Sequence, residues 1–191
     1  MPLLSTFGAA STRSFGGIGA AAAGAGLDID EAFSTYLYDG TGSAQTITNG
    51  IDLSGEGGMV WTKNRDTTQT HFISDTERGA TKLLSPNNTD AEETQQGLTA
   101  FNSNGFTVNN LFANNSGDDY VAWTFKSTSK FFDVVTYTGN GTARAISHNL
   151  GSVPGMVVFK NRSTTYGWQV YHRGMANDRR LELNDPGSAS S

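Results

Sequence analysis

Short runs of apolar and β-branched residues alternate with polar, glycine-rich turns along most of this chain. One run occurs twice, since Gly58–Arg65 (GMVWTKNR) returns as Gly155–Arg162 (GMVVFKNR). A glycine, an apolar run and a polar Lys-Asn-Arg end are typical of a strand that enters a core and leaves into a turn. The recurrence predicts a β-module that the chain uses twice.

The first copy is predicted to consist of short strands joined by tight turns. Strands are expected at 33–38, 44–48, 58–65, 70–75, 98–101, 106–108 and 120–125. Asp39-Gly40 and Asn49-Gly50 favour the positive φ angles of hairpin turns, and Asn102–Gly105 predicts a hairpin within Leu98–Val108. In the last strand, Val121, Trp123 and Phe125 share one side, which predicts that this side is buried; Trp61 and Trp123 are assigned to core packing.

The second copy begins at Phe131–Tyr137 and is incomplete. It matches the first at an offset of 99 residues and then, from Gly155, at an offset of 97, so that two residues are lost around Pro154. It has no counterpart of the Leu98–Val108 hairpin or of the 120–125 strand, and a sandwich without them would expose apolar faces and open edges. We therefore expect the polypeptide to continue beyond Ser191, in preference to completion by another chain or by the first copy.

These patterns predict an all-β chain of β-sandwich modules preceded by an extended N-terminal segment. Residues 1–27 form the leader, 28–128 the complete module and 129–191 the start of the second module. The leader is rich in Gly and Ala and either stays disordered or orders on another protein. We favour docking, because the leader carries spaced apolar side chains at Leu3, Leu4, Phe7, Phe15 and Ile18.

Composition and charge narrow the function classes. Cysteine is absent, which excludes disulfides and thiolate chemistry, and a net charge of −5 without a basic face is unlike a nucleic-acid-binding protein. The first residues lack the basic start of a secretory signal, and no run of 18 apolar residues suits membrane insertion. Residues 28–126 carry 14 acidic against 5 basic side chains, yet the acidic clusters at 90–93 and 114–119 are interpreted as solvated loops rather than calcium sites.

No catalytic or cofactor constellation emerges from the residues. The three histidines, His71, His148 and His172, lie in unlike contexts without metal-ligand spacing. The chain contains neither a Glu-x-Asp-x-x-Glu run nor a Gly-x-Ser-x-Gly turn, so we expect a non-enzymatic protein without a cofactor. Tyr166 and Trp168, which flank a glycine, are the aromatic side chains predicted to be exposed and to contact a glycan.

Several stretches together resemble tail-fibre-like and virion structural proteins of marine tailed bacteriophages: Met1–Gly8 (MPLLSTFG), Gly139–Thr142 (GNGT), Tyr120–Phe125 (YVAWTF), His148–Met156 (HNLGSVPGM) and Trp168–His172 (WQVYH). The resemblance covers nearly the whole chain. It implies an N-terminal segment that docks on tail or portal-proximal virion proteins, concanavalin-like or jelly-roll β-sandwich modules, a homotrimer and a location on the particle surface.

The resemblance does not identify functional residues. It leaves open whether such a chain attaches to host-surface glycans from a tail fibre or serves as a purely structural capsid decoration or head fibre. A third alternative is a secreted lectin-like protein that binds or degrades glycans, in which Glu92 or Glu93 would act.

Overall fold

The computed structural model describes residues 26–109 and 112–187, whose regular structure is almost entirely β. In this part of the chain one short helix precedes the strands. The elements are α1 (Ile29–Ala32), β1 (Phe33–Asp39), β2 (Gln45–Thr48), β3 (Gly58–Asn64), β4 (Phe72–Asp75), β5 (Lys82–Leu83), β6 (Glu93–Thr94), β7 (Leu98–Asn102), β8 (Gly105–Val108), β9 (Asp119–Lys126), β10 (Met156–Phe159), β11 (Gln169–His172) and β12 (Leu181–Glu182).

Two antiparallel sheets of the first copy enclose one core. Their strand orders are β1-β9-β3-β4 and β2-β8-β7. Because successive side chains of a strand point to opposite faces, each sheet directs every second residue inward. The buried cluster draws on both sheets and their connections: Tyr38, Val60, Tyr120 and Ala122; Ile47, Leu98, Phe106 and Val108; and Ile51, Leu53 and Ala113. The predicted all-β, sandwich-like fold is confirmed.

A pair of tyrosines ties the core to a loop. The rings of Tyr38 and Tyr120 stack with centroids 5.2 Å apart, and the Tyr38 hydroxyl donates to the carbonyl of Ala113 at 2.8 Å. The Tyr120 hydroxyl accepts a hydrogen bond from the backbone N–H of Asn115 at 3.0 Å. Burial raises the pKa of Tyr38 far above its ordinary value, so its hydroxyl remains a donor at any physiological pH.

The turns at Asp39-Gly40 and Asn49-Gly50 do not form the expected hairpins. β1 pairs with β9, and β2 pairs with β8, so the first turn carries the chain from one sheet to the other. At Gly40 a Cβ would lie 1.9 Å from the backbone oxygen of Asn115, which explains the glycine by close packing rather than by hairpin geometry. The hairpin predicted within Leu98–Val108 is confirmed by the pairing of β7 with β8.

The face of β9 that packs in the main core is the opposite of the predicted one, although Val121 on the predicted side is also buried. Tyr120, Ala122 and Thr124 face the core, whereas Trp123 and Phe125 lie half-buried on the reverse of the sheet. There the ring of Trp123 packs edge-on against Trp61 at 5.9 Å. The larger side chains of a strand often face the core, but here they cover the sheet's second face.

The repeated Lys-Asn-Arg ends of the two copies close equivalent turns. The ammonium of Lys63 bonds to the carbonyl of Thr67 at 2.8 Å, and that of Lys160 bonds to the carbonyl of Thr164 at 3.4 Å. In each copy the side-chain oxygen of the following Asn accepts a backbone N–H two residues further on. The motif is therefore a turn built by side-chain to backbone bonds.

The second copy forms a smaller sheet, with the order β10-β11-β12. Phe131–Tyr137, where the second copy begins, does not form the counterpart of β1; its β-pairing is limited to a bridge between Thr128 and Phe132. Val135, Tyr137, Val153 and Met156 of this copy are all exposed. A segment without a paired neighbouring strand gains no inter-strand hydrogen bonds. The apolar pattern of this stretch therefore does not make it a strand by itself.

Candidate functional site

An open groove of about 390 Å³ lies beside β4 in the first copy. One side of its lining comes from the loop at 67–70, which follows the Lys-Asn-Arg turn of β3. The other side comes from the loop that follows β5, through Ser85, Asn88 and Asp90, and from Glu93 of β6. Phe72 and Phe112 complete the lining.

The loop at 67–70 is held by the end of β3. The side-chain oxygen of Asn64 accepts the backbone N–H of Thr67 at 3.1 Å, and Lys63 binds the Thr67 carbonyl. Asn64 is buried, and its amide nitrogen donates to Asp118 at 2.8 Å. The hydroxyl and amide side chains of this loop are thus presented on a fixed backbone.

The opposite loop is held from both copies of the module. The backbone N–H of His71 donates to the side chain of Asn87 at 3.0 Å, which links the two sides of the groove. From the second copy, the indole N–H of Trp168 donates to the carbonyl of Ser85 at 2.9 Å, and the N–H of Tyr166 donates to the carbonyl of Thr89 at 2.9 Å. The second copy therefore fixes the loop that carries Asn88 and Asp90.

Two aromatic rings supply the apolar part of the groove. Phe72 and Phe112 lie with their centroids 5.1 Å apart and their planes tilted by 36°. Phe112 is 38% exposed, so part of its ring is open to a ligand. Rings beside hydroxyl, amide and carboxylate groups suit ligands that combine apolar faces with hydroxyls.

The charge of the groove restricts the ligand class. Its lining contains the carboxylates of Asp90 and Glu93 and no basic side chain. Lys160 lies nearby and donates to the carbonyl of Thr89 at 3.2 Å. Partial burial lowers the pKa of Lys160, and Asp90 acts in the opposite direction. The two lining carboxylates outnumber the one nearby ammonium, so the groove disfavours anions and favours neutral or cationic polar ligands.

The two predicted glycan contacts have different environments. Tyr166 is 58% exposed, as expected, and its backbone bond to Thr89 puts it next to the groove-lining residues Asn88 and Asp90. Trp168 was expected to be exposed, which is wrong: it is only 5% exposed and packs with Ile73 and Leu84. Its hydrogen bond to Ser85 makes it a contact between the two copies. Glycan contact by Tyr166 stays a prediction.

A chain of ion pairs also joins the copies. Arg78, which is buried, binds Asp75 through its Nε at 2.5 Å and reaches Glu92 at 3.4 Å. Glu92 is then bound by Arg162 of the second copy through two nitrogens, at 2.9 and 3.2 Å. Glu92, the carboxylate considered for glycan degradation, is thus engaged by two guanidinium groups in a structural link.

The histidines are used individually. Nδ1 of His71 accepts the indole N–H of Trp61 at 3.1 Å, and Nδ1 of His148 and of His172 each accepts a backbone N–H two residues further on. Burial, and secondarily Lys63, lowers the pKa of His71. In residues 26–109 and 112–187, no group of three or more His, Asp or Glu side chains is arranged to hold a metal ion.

The predicted docking residues, Leu3, Leu4, Phe7, Phe15 and Ile18, lie outside the described residues, so docking stays a prediction. Among the described residues, no helix is both long enough and apolar enough to cross a membrane.

Phe72 and Phe112 were missed by the sequence analysis as groove residues. Phe72 belongs to the predicted core strand 70–75, and nothing in its local sequence distinguishes it from a core side chain. Phe112 lies in a short apolar run, Leu111–Ala113, that is flanked by asparagines and belongs to no predicted strand; this run was a signal that could have been used.

A search of curated proteins and a search of solved structures each found no match to this chain. A family does match residues 29–191, and therefore both copies of the module. Over these residues the chain belongs to the family described as domain of unknown function DUF7483.

Proposed function

We propose that this chain is a non-enzymatic structural protein of a phage virion, tail-fibre or tail-associated, that attaches the particle to a neutral host-surface glycan. In this proposal the groove beside β4 binds the glycan, and the leader at 1–27 docks on other virion proteins. The observation that carries the glycan part is the joining of Phe72 and Phe112 to polar side chains in one open groove.

The ligand class follows from the lining. Sugar rings have apolar faces that pack on aromatic rings, and their hydroxyls bond to carboxylate, amide and hydroxyl groups. The carboxylates of Asp90 and Glu93 favour a neutral glycan over a sulfated or sialylated one. An open groove with one partly exposed ring predicts weak binding at a single site. In a homotrimer, three grooves on one fibre would raise the overall affinity without any new contact.

The glycan part is tested with the 191-residue protein and a panel of neutral and acidic oligosaccharides in solution, by saturation-transfer NMR and titration calorimetry. We expect binding to neutral oligosaccharides only, and a loss of about fivefold in affinity for Phe112→Ala, because a stacked ring contributes about 1 kcal/mol. Tyr36→Ala is the matched control, since Tyr36 is equally exposed at 38% but lies on β1.

Wild-type binding by Phe112→Ala, or a panel without any bound neutral oligosaccharide, would contradict the glycan part. The virion part is tested separately, by deletion of residues 1–27 in an infecting phage genome. We expect the shortened protein to keep its circular dichroism spectrum and to be missing from purified particles; normal incorporation would contradict docking by the leader.

A further inference from the structure

Asparagine is followed directly by glycine at three places in this chain: Asn49-Gly50, Asn104-Gly105 and Asn140-Gly141. The side-chain amide of an asparagine can be attacked by the backbone nitrogen of the next residue, and glycine hinders this attack least because it has no Cβ. The attack requires that the asparagine side chain can turn towards that nitrogen and that the backbone can accept a five-membered ring. Since the three pairs share the same two residue types, their surroundings decide which of them reacts.

The amide of Asn49 is held by two hydrogen bonds to buried residues. Its nitrogen donates to Oγ1 of Thr124 at 2.8 Å, and its oxygen accepts the backbone N–H of Ile51 at 3.2 Å. Thr124 and Ile51 are both fully buried. Turning the amide towards Gly50 breaks both bonds and leaves buried polar groups without their partner, which is costly. This pair is therefore protected.

The pair Asn104-Gly105 is held by the β7-β8 hairpin. The backbone N–H of Asn49 donates to the carbonyl of Asn104 at 3.2 Å. Because hydrogen-bonded positions alternate along a strand, Gly105 directs its own N–H to the other neighbour, where it is paired with Asn102. Gly105 is buried, and a Cβ there would lie 2.0 Å from the carbonyl oxygen of Ile47. The attacking nitrogen is engaged, and the packing leaves no room for a ring.

The pair Asn140-Gly141 is open in each of these respects. Both residues are exposed, and a Cβ built at Gly141 would meet no other atom within 4 Å. Within the described ranges, neither the amide nitrogen of Asn140 nor the N–H of Gly141 has a hydrogen-bond partner, and the hydrogen bonds of 139–143 stay inside this loop. The side chain and the backbone can therefore reach the geometry of attack without breaking contacts to the rest of the fold.

The equivalent loop of the first copy is neither open nor reactive. At the offset of 99 residues, Thr41 takes the place of Asn140. The N–H of Thr41 donates to the side-chain oxygen of Asn114 at 2.9 Å, and the N–H of Gly42 donates to the Asn114 carbonyl at 2.9 Å. Asn114 is fully buried, so this loop is tied to the core. A threonine has no amide to lose, which confines the reaction to the second copy.

The side-chain oxygen of Asn140 already has two donors. It accepts the backbone N–H of Thr142 at 3.1 Å and the hydroxyl of Thr142 at 3.0 Å. This oxygen gains negative charge when the nitrogen of Gly141 adds to the amide carbon, and donors already directed at such an oxygen stabilise that charge. Thr142 is therefore placed to favour the addition.

We propose that Asn140 of the folded protein converts spontaneously to aspartate and isoaspartate, and does so faster than Asn49 or Asn104. The backbone nitrogen of Gly141 loses its proton to solvent and bonds to Cγ of Asn140. The bond from Cγ to Nδ2 then breaks, and the leaving nitrogen takes up a proton and departs as ammonia. Water opens the resulting succinimide at one carbonyl to give aspartate or at the other to give isoaspartate. Either product adds a negative charge to the second copy, whether or not the groove binds a glycan.

The test follows the three pairs in one sample. The 191-residue protein is incubated at mildly alkaline pH, and peptides that contain each pair are measured by mass spectrometry over time. Conversion raises the mass of a peptide by about 1 Da. We expect the Asn140 peptide to convert at least about tenfold faster than the other two, because those must first break hydrogen bonds. In urea, where the folded surroundings are lost, the three rates should become similar.

Three variants test the residues that carry the proposal, and circular dichroism checks that each is folded. Asn140→Thr, which introduces the residue of the first copy, should stop the accumulation of the acidic form that isoelectric focusing detects. Thr142→Val removes the hydroxyl donor and should slow conversion about threefold to tenfold, the effect of one hydrogen bond. Thr142→Ser keeps the hydroxyl and should convert at close to the wild-type rate.

The proposal is overturned if the folded protein gains no mass at Asn140 under conditions in which the unfolded chain does. It is also overturned if Asn49 or Asn104 converts as fast as Asn140 in the folded protein, or if Asn140→Thr accumulates the acidic form at the wild-type rate. Equal rates for Thr142→Val and Thr142→Ser would overturn the role of the Thr142 hydroxyl.

Discussion

Replacement of Arg78 by methionine tests whether the buried ion pairs stabilise this fold. The side chain of Arg78 is 3% exposed, and its guanidinium binds Asp75 and Glu92 and donates to the carbonyl of Ile73 at 3.0 Å. Asp75 is nearly as buried, with a side chain that is 5% exposed. Removing one partner of a buried pair leaves the other charge uncompensated, which costs about 3 to 5 kcal/mol.

Arg162 is the matched control, because it binds the same carboxylate from a different environment. Its guanidinium contacts Glu92 through two nitrogens, but its side chain is 42% exposed. Exposed pairs contribute about 0.2 to 1 kcal/mol, because water already solvates both charges well. Burial, rather than the number of hydrogen bonds, should therefore decide which arginine matters more.

The measurement is urea unfolding followed by tryptophan fluorescence and circular dichroism, with melting temperatures as a second readout. At about 2 to 4 °C per kcal/mol for a chain of this size, Arg78→Met should melt about 6 to 20 °C lower than wild type. Arg162→Met should melt at most about 4 °C lower. The double variant Asp75→Leu/Arg78→Met removes both charges and should recover much of the loss. A loss for Arg78→Met no larger than that for Arg162→Met would refute the reasoning.

Two further predictions use features of β3 and its neighbour. Gly58→Ala should destabilise the protein strongly and Gly155→Ala little. A Cβ at Gly58, where φ is +152°, would lie 2.1 Å from the carbonyl oxygen of Phe125, whereas the nearest neighbour of a Cβ at Gly155 is 3.6 Å away. Equal urea midpoints for the two variants would contradict this. The lowered pKa of His71 means that the unfolded chain takes up the proton first, so stability is full above about pH 6.5 and falls as pH drops through and below that value. His71→Asn removes the titrating group but keeps an amide oxygen that can accept the indole N–H of Trp61. In urea titrations at a series of pH values, this variant should lose less stability on acidification than wild type. Identical pH profiles would show that His71 does not cause the loss of stability.

Much of the first copy was predictable because local patterns and tertiary structure agree there. β1, β3 and the β7-β8 hairpin are rich in apolar and β-favouring residues, and they have turn residues at their ends and a paired neighbour. Strand pairing was less predictable: Asp39-Gly40 has the composition of a hairpin turn, yet β1 and β2 belong to different sheets. A turn motif reports local backbone angles, whereas the partner of a strand depends on distant segments such as β9.

The groove was harder to predict than the fold, because no single segment carries its signal. Phe72, Asp90 and Phe112 come from three separate stretches and meet only when β4 and the following loops are packed. Trp168 shows the opposite error. Its neighbouring glycine and polar surroundings indicate exposure, but Ser85 and Leu84, which lie far earlier in the chain, bury it. Exposure of an aromatic residue is a tertiary property that local composition does not determine.

The two copies of Gly58–Arg65 separate what a sequence motif determines from what its surroundings determine. Both copies form a strand, and both end in a turn closed by the lysine, because these features need only the motif, the two residues that follow it and an adjacent antiparallel strand. Burial differs, because the core face of a sheet is covered by the sheet that packs against it. Thr62 lies on the core face of β3, which packs against the β2-β8-β7 sheet, and is buried. Phe159, a larger and more apolar side chain at the equivalent position, is exposed in the second copy, whose described residues form the single sheet β10-β11-β12. The same position of the motif is therefore buried or exposed according to the sheet that faces it, and not according to the size or polarity of its own side chain.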